Sequence, residues 1–193
     1  PFFNEKAVCE LGKNLDKSKK LHRSGTEYAL KVLKRFSEIL NVSKITNLKI
    51  IATAVLREAT DTKPFINEVE KLFKTKINIL SGEEEAECSA EGVKIGFENV
   101  NGLVADLGGG SLELARVENN IVTNKTSLPI GVLRLLNNPI VKKRNLAKYI
   151  KKLLREEKWL SKKKFNNLYL VGGTWRALFK LHLFQNNHPV HII

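Results

Sequence analysis

The stretch LVADLGGGSLELARV, residues 103–117, sets two carboxylates, Asp106 and Glu113, on either side of three consecutive glycines. Alternation along a strand puts Val104 and Asp106 on one face, and Glu113, Ala115 and Val117 on one face after the bend. Both acids thus stand where a half-buried strand would carry apolar side chains. A carboxylate there is costly unless it is paired or bound to a cation. Gly108, Gly109 and Gly110 leave main-chain N–H groups open to an anion, and Ser111 adds a hydroxyl. Phosphate oxygens together with Mg²⁺, which takes one or two carboxylates, water and substrate phosphate, would satisfy the whole set. A glycine-rich hairpin with acids at its rim would satisfy it too, and the segment alone leaves both readings open.

Other nucleotide motifs are absent. A dinucleotide fingerprint needs glycine where Glu113 stands and a helix after the bend, and a Walker loop needs Gly-Lys-Ser/Thr. A second glycine bend occurs in YLVGGTWRALF, where a strand runs into Gly172, Gly173 and Thr174 and then into a helix. Thr174 is placed there as an N-cap or phosphate ligand; tight strand–helix contact is the competing explanation. In LSGEEEAECSAEGV a capping box from Ser81 to Glu84 accounts for Glu84, but not for Glu85. Ser89, Gly92 and Gly96 follow Glu85 at helical spacing, a line of small residues that invites close approach, so Glu85 is a general-base candidate. Acids clustered at a helix start also suit the macrodipole without any catalytic role. Arg57, in IATAVLREATD, follows a buried strand and has a fork suited to a carboxylate or a phosphate; a structural salt bridge is its equal rival. His22, His182, His188 and His191 accompany no nucleophile or ligand set.

The net charge of +13 attracts polyanions and speeds their arrival. Much of it lies between Val141 and Lys164, where a lysine-rich solvated helix face is the plainer explanation, because only Tyr149 and Trp159 offer aromatic surface for base stacking. Nucleic acid is therefore the weakest partner candidate. No apolar run approaches the ~20 residues that span a bilayer. Cys9 and Cys88 lack a CxxC spacing and read as reduced thiols of a cytoplasmic protein. The chain opens on Pro1 and contains no methionine, which suggests a segment of something longer or a processed chain.

Periodicity supplies the elements that must hold these groups. Ala29, Val32, Leu33, Phe36 and Leu40 predict a helix over 24–42, with Ser24 as its N-cap. Short strands are expected at 48–53, 77–80, 103–117 (as a hairpin), near 124–128 and at 167–171. Helices are expected after Thr53, over 63–76, from Ser81 to Phe97 with Ala86, Ala90, Val93 and Phe97 on one face, over roughly 139–160, and after Thr174. Strands alternating with helices argue for an α/β fold with a partly parallel sheet. A boundary in the helix after Ser81 gives a first lobe at 1–88 and a second at 89–193.

Read in order, IATAVLREATD, ILSGEEEAECSAEGV, VADLGGGSLELARV, LPIGVLRL and LVGGTWRALFKL resemble the exopolyphosphatase / guanosine pentaphosphate phosphohydrolase family along nearly the whole chain, as does FFNEKAVCELGKNLD near the start. The resemblance implies the actin-like, sugar-kinase-like duplicated α/β fold (ribonuclease H-like), with its site between two lobes. It also implies hydrolysis of terminal phosphoanhydride bonds of inorganic polyphosphate or guanosine pentaphosphate with Mg²⁺. Glu85 matches the family's base and Asp106 and Glu113 its cation or water ligands. Gly108 to Ser111 and Gly172 to Thr174 match its phosphate loops, and Arg57 an arginine near the phosphates. A homodimer is a further expectation. Leu112 stands where the family commonly has Thr, and the family's opening Asp-x-Gly-Ser-Asn hairpin and the rest of its second lobe are not in the sequence. The chain is thus expected to be an excerpt of such an enzyme or a truncated, non-catalytic polyphosphate- or alarmone-binding remnant. A kinase on the same superfold is a third option.

Overall fold

The computed structural model describes residues 4–137, 145–161 and 164–188. The chain separates into two compact units, Pro1–Ser81 and Gly82–Ile193. The division falls ahead of the helix that follows Ser81 and not inside it, because that helix packs wholly on the second sheet.

In the first unit, α1 (Leu15–Ser18) and α2 (Arg23–Val42) precede β1 (Ile50–Ala52), α3 (Ala54–Glu58), α4 (Lys63–Phe73) and β2 (Ile77–Ile79). β1 and β2 pair in parallel, Ile51 opposite Asn78. Ala29, Leu56, Phe65 and Val69 form the core between helices and strands. Pro64 sits in the first turn of α4, where its missing N–H costs nothing. Ser24 is not the cap of α2. The His22 carbonyl already accepts from the Thr26 amide at 2.8 Å, so the helix starts at Arg23 and Ser24 lies within its first turn.

The second unit runs α5 (Gly82–Gly96), β3 (Gly102–Leu107), β4 (Leu112–Glu118), β5 (Ile121–Leu128), α6 (Val132–Asn137), α7 (Leu146–Glu156), α8 (Lys158–Ser161), β6 (Leu168–Val171) and α9 (Gly173–Gln185). The part of the expected basic helix at 139–144 lies outside the described residues. The sheet order is β5-β4-β3-β6, with β6 parallel to β3 and the other pairs antiparallel. Its two faces bury different sets. Val104, Ala115 and Val117 meet Ala86 and Ala90 of α5; Ala105, Leu114 and Leu128 meet Tyr149, Ile150, Leu153 and Leu154 of α7. Ala86, Ala90 and Val93 share the buried stripe of α5 as expected, but Phe97 lies beyond the helix end, 57% exposed, with its edge on the Tyr169 ring. Among the described residues, no helix is long and apolar enough to cross a membrane.

Candidate functional site

Register brings the two acids together. Asp106 pairs directly with Glu113 across β3 and β4, on the face that carries Val104, Ala115 and Val117 under α5. Like charges directly opposite one another destabilise a sheet, the more so when one is buried, and Glu113 is only 3% exposed. Each carboxylate is held by a serine that the sequence did not single out for this task. Ser89 of α5 donates to Asp106 Oδ2 at 2.8 Å, and Ser127, opposite Glu113 on β5, donates to Glu113 Oε1 at 2.7 Å. The signal for Ser127 was its parity on β5, which becomes legible only once the β4–β5 register is known.

Both glycine bends lie at this end of the sheet. β3 and β6 are parallel neighbours with Asp106 opposite Val171, so the bends that follow them emerge side by side at the carboxyl ends of the strands. Gly172 has φ 101° and ψ 170°, and a Cβ built there would stand 2.7 Å from Asp106 Oδ1. Only glycine takes that backbone conformation without strain. Gly172 is itself the cap of α9, so Thr174 lies inside the first turn and is not the cap.

The orientation of the Gly108–Ser111 bend follows from its carbonyls. Gly108 O accepts from the Val132 amide at 3.1 Å, Gly109 O from the Leu133 amide at 2.9 Å, and Gly110 O from Arg134 Nε at 2.8 Å. All three carbonyls face α6. The chain has no cis peptide among the described residues, and in a planar trans peptide C=O and the next N–H point in opposite directions. The amides of Gly109, Gly110 and Ser111 are therefore turned away from α6, as an anion cradle requires. Gly131 makes the contact close enough, since a Cβ there would lie 2.3 Å from Gly110 C and Ser111 N. Gly131 and Arg134 were visible in the sequence only as part of LPIGVLRL, with no task attached.

Helix α5 lays its first two turns over the carboxylate pair. Gly82 abuts Ser127, with a built Cβ only 2.3 Å from Ser127 Cβ, and Ser89 reaches Asp106. Positions 82, 85 and 89 follow one helical face, so half-buried Glu85 stands between these two anchors, on the side of Asp106 and Glu113. Lys125 of β5 donates to Glu87, and that hydrogen bond holds its ammonium above the usual lysine range. Ser89 does use its small size to approach the sheet, but Gly92 and Gly96 face open space, so the expected close approach along that line stops at Ser89.

Asp106, Glu113, Glu85, Gly108–Ser111 and Gly172–Thr174 thus gather in the second unit. Arg57 belongs to α3 of the first unit, where its guanidinium donates to the Leu80 carbonyl. Among the described residues no three or more His, Cys, Asp or Glu side chains converge as a ready-made metal-ligand set. Two opposed carboxylates, each with one oxygen already taken by a hydroxyl, suit a hard cation that completes its shell with water and phosphate oxygens.

The Ppx/GppA phosphatase family model matches residues 1–191. The chain is 37% identical over 134 residues to the guanosine-5'-triphosphate,3'-diphosphate pyrophosphatase of Aeromonas hydrophila, an alignment covering 69% of the chain and 27% of that protein. It is 32% identical to a bifunctional 3-dehydroquinate synthase/phosphatase of Fusobacterium nucleatum, covering 89% of the chain and 28% of that protein. The chain therefore spans little more than a quarter of the length of these curated relatives. Its fold matches the crystal structure of an exopolyphosphatase from Cytophaga hutchinsonii with a TM-score of 0.83 at 24% identity, over 98% of the chain and 64% of that structure. The Ppx/GppA protein of Aquifex aeolicus superposes with a TM-score of 0.73 at 23% identity, over 96% of the chain and 61% of that structure. The expected two-lobe α/β fold is thus the one these phosphatases share, and the chain belongs to the Ppx/GppA phosphatase family.

Proposed function

We propose that the chain carries the hydrolytic site of an enzyme that removes terminal phosphate from inorganic polyphosphate, with guanosine pentaphosphate as a second substrate of the same chemistry. The observation that carries the reading is the turning of the Gly109, Gly110 and Ser111 amides away from α6, beside the opposed carboxylates of Asp106 and Glu113. In this reading the amides bind oxygens of the terminal phosphate, and the Gly172–Thr174 bend lines the other side of that phosphate. Asp106 and Glu113 hold Mg²⁺, which when bound neutralises charge on the phosphate oxygens. Glu85 orients a water for in-line attack and takes its proton. The water oxygen forms the new bond to phosphorus while the bridging P–O bond breaks, so orthophosphate leaves and the shortened chain keeps the bridging oxygen. Arg57 is the proposed anion-binding group of the first unit, and the cytoplasm the proposed setting.

Glu85→Gln keeps the shape and helix propensity of Glu85 but removes its basicity. Phosphate release from polyphosphate by the complete protein should fall roughly 10²–10⁴-fold, with the circular dichroism spectrum unchanged. Wild-type turnover in that variant would rule Glu85 out as the base.

A further inference from the structure

Helix α7 has one side committed to the interior. Tyr149, Ile150, Leu153 and Leu154 pack on the sheet face of Ala105, Leu114 and Leu128, and Trp159 and Leu160 of α8 extend that contact. The other side carries Lys148, Lys151, Lys152 and Arg155 at i, i+3, i+4 and i+7, all exposed, with exposed Lys158 next in line. At 1.5 Å rise per residue, Lys148 to Arg155 makes a basic stripe roughly 10 Å long. Acids offset it little. Glu156 approaches Lys152 only at 3.8 Å, an exposed pair of small worth. Glu157 is turned inward, accepting from Thr126 Oγ1 and Trp159 Nε1, each at 3.0 Å.

Three kinds of polyanion seek such a stripe, and the inner side of the helix separates them. An anionic membrane surface takes up an amphipathic helix by burying its apolar face, and here that face is already spent on the core. Single-stranded nucleic acid draws on exposed aromatic side chains for stacking, and Tyr149 and Trp159 are both half-buried against the core. A linear chain of bare phosphates requires only closely spaced cations. We propose that the Lys148–Lys151–Lys152–Arg155 stripe is a docking site for the body of an inorganic polyphosphate chain, separate from the carboxylate–glycine site under α5 on the opposite face of the sheet. It rests on the proposed function only for the identity of the polymer.

The test uses the complete protein and a variant with Lys148→Gln, Lys151→Gln, Lys152→Gln and Arg155→Gln, exposed changes that keep helix propensity. Fluorescently labelled long-chain polyphosphate is titrated at several salt concentrations. Four neutralised phosphates contribute a slope of about −3 to log K against log salt, taking the single-strand value for each. The variant should lose that share of the slope and bind roughly ten-fold or more weakly at low salt, while its hydrolysis of tripolyphosphate, too short to need the stripe, stays at the wild-type rate. Equal slope and affinity in the two proteins would overturn the proposal. So would single-stranded RNA or phosphatidylserine vesicles displacing polyphosphate at matched phosphate concentration, which would assign the stripe to those partners. Binding that depends on the four residues in a protein that hydrolyses no polyphosphate would uphold the stripe and refute the reading of the carboxylate site.

Discussion

Replacing Gly82 by alanine tests whether α5 is held at the distance from β5 that the site requires. A methyl at 82 would stand 2.3 Å from Ser127 Cβ and 2.8 Å from its Oγ. Carbon–carbon contacts are comfortable at about 3.5–4.0 Å, so more than ~1 Å must be found. Ser127 Cβ is fixed to its backbone, and no rotamer relieves the clash. Overpacking of this kind costs about 1–3 kcal/mol, against which alanine returns up to ~1 kcal/mol of helix propensity. The net expectation is a loss of about 1–2 kcal/mol. Gly92, on the same helix, has nothing within 4 Å of a built Cβ, so Gly92→Ala should stabilise by about 0.5–1 kcal/mol. Both tryptophans of the chain, Trp159 and Trp175, lie in the second unit, so their fluorescence in urea reports that unit. Moving the start of α5 also moves Glu85, and a misplacement of ~1 Å is worth roughly 10²-fold in rate. Gly82→Ala should thus lose both urea midpoint and phosphate release, whereas Gly92→Ala gains the first and keeps the second. Two stabilising alanines, or wild-type turnover in Gly82→Ala, would refute the argument that Gly82 sets the height of the helix above the acids.

Two further outcomes are expected. Gly172→Ala forces a side chain into a backbone region that costs ~1–3 kcal/mol for any residue but glycine and drives a methyl at Asp106 Oδ1, 2.7 Å away; tryptophan-monitored urea unfolding and phosphate release should both fall, and an unchanged midpoint would contradict the geometry. In the first unit, Glu70 accepts from Lys76 Nζ at 2.6 Å and from the Ile77 amide at 3.0 Å, and these bonds hold its carboxyl below the usual glutamate range. A lowered folded value means stability that is fully present above the unfolded value near 4.3 and is lost as pH falls through the folded one. Glu70→Gln should therefore be less stable than wild type by far-UV circular dichroism at neutral pH and converge with it in acid. A gap independent of pH would contradict the role of the charge.

Strand alternation was enough to put Asp106 and Glu113 on a core-facing side, because period-two patterning is local. Their carboxylate partners were not local. Ser127 becomes one through the β4–β5 register, and Ser89 through the crossing of α5 over β3. The helix starts misread at Ser24 and Thr174 share a cause. Both residues have the hydroxyl that caps a helix, but the backbone bent earlier, at His22 and at Gly172, and the hydroxyl found itself two residues inside, within the first turn. The two compact units part just ahead of α5, and the side to which that helix belongs is not legible in the sequence, because its apolar residues lie on one side only and either unit could claim them.

The glycines make the same point from the other direction. Gly82, Gly131 and Gly172 each meet another segment at a separation no side chain tolerates, and each meets a part of the site: Ser127, the Gly109–Ser111 backbone and Asp106. Gly92 and Gly96 meet nothing. In the sequence these residues are identical, and the difference between a required glycine and an idle one is a property of the partner in space. The three contacts fall on the Ser127 Cβ, on the Gly109–Ser111 main chain and on an Asp106 carboxylate oxygen, and the first two are atoms that no side-chain torsion can move away. Two carboxylates opposed on one sheet face repel each other, and a looser scaffold would let them swing apart. Here serines from two different elements and a backbone bend pin them, and in the proposed function the repulsion so held is what a bound cation relieves.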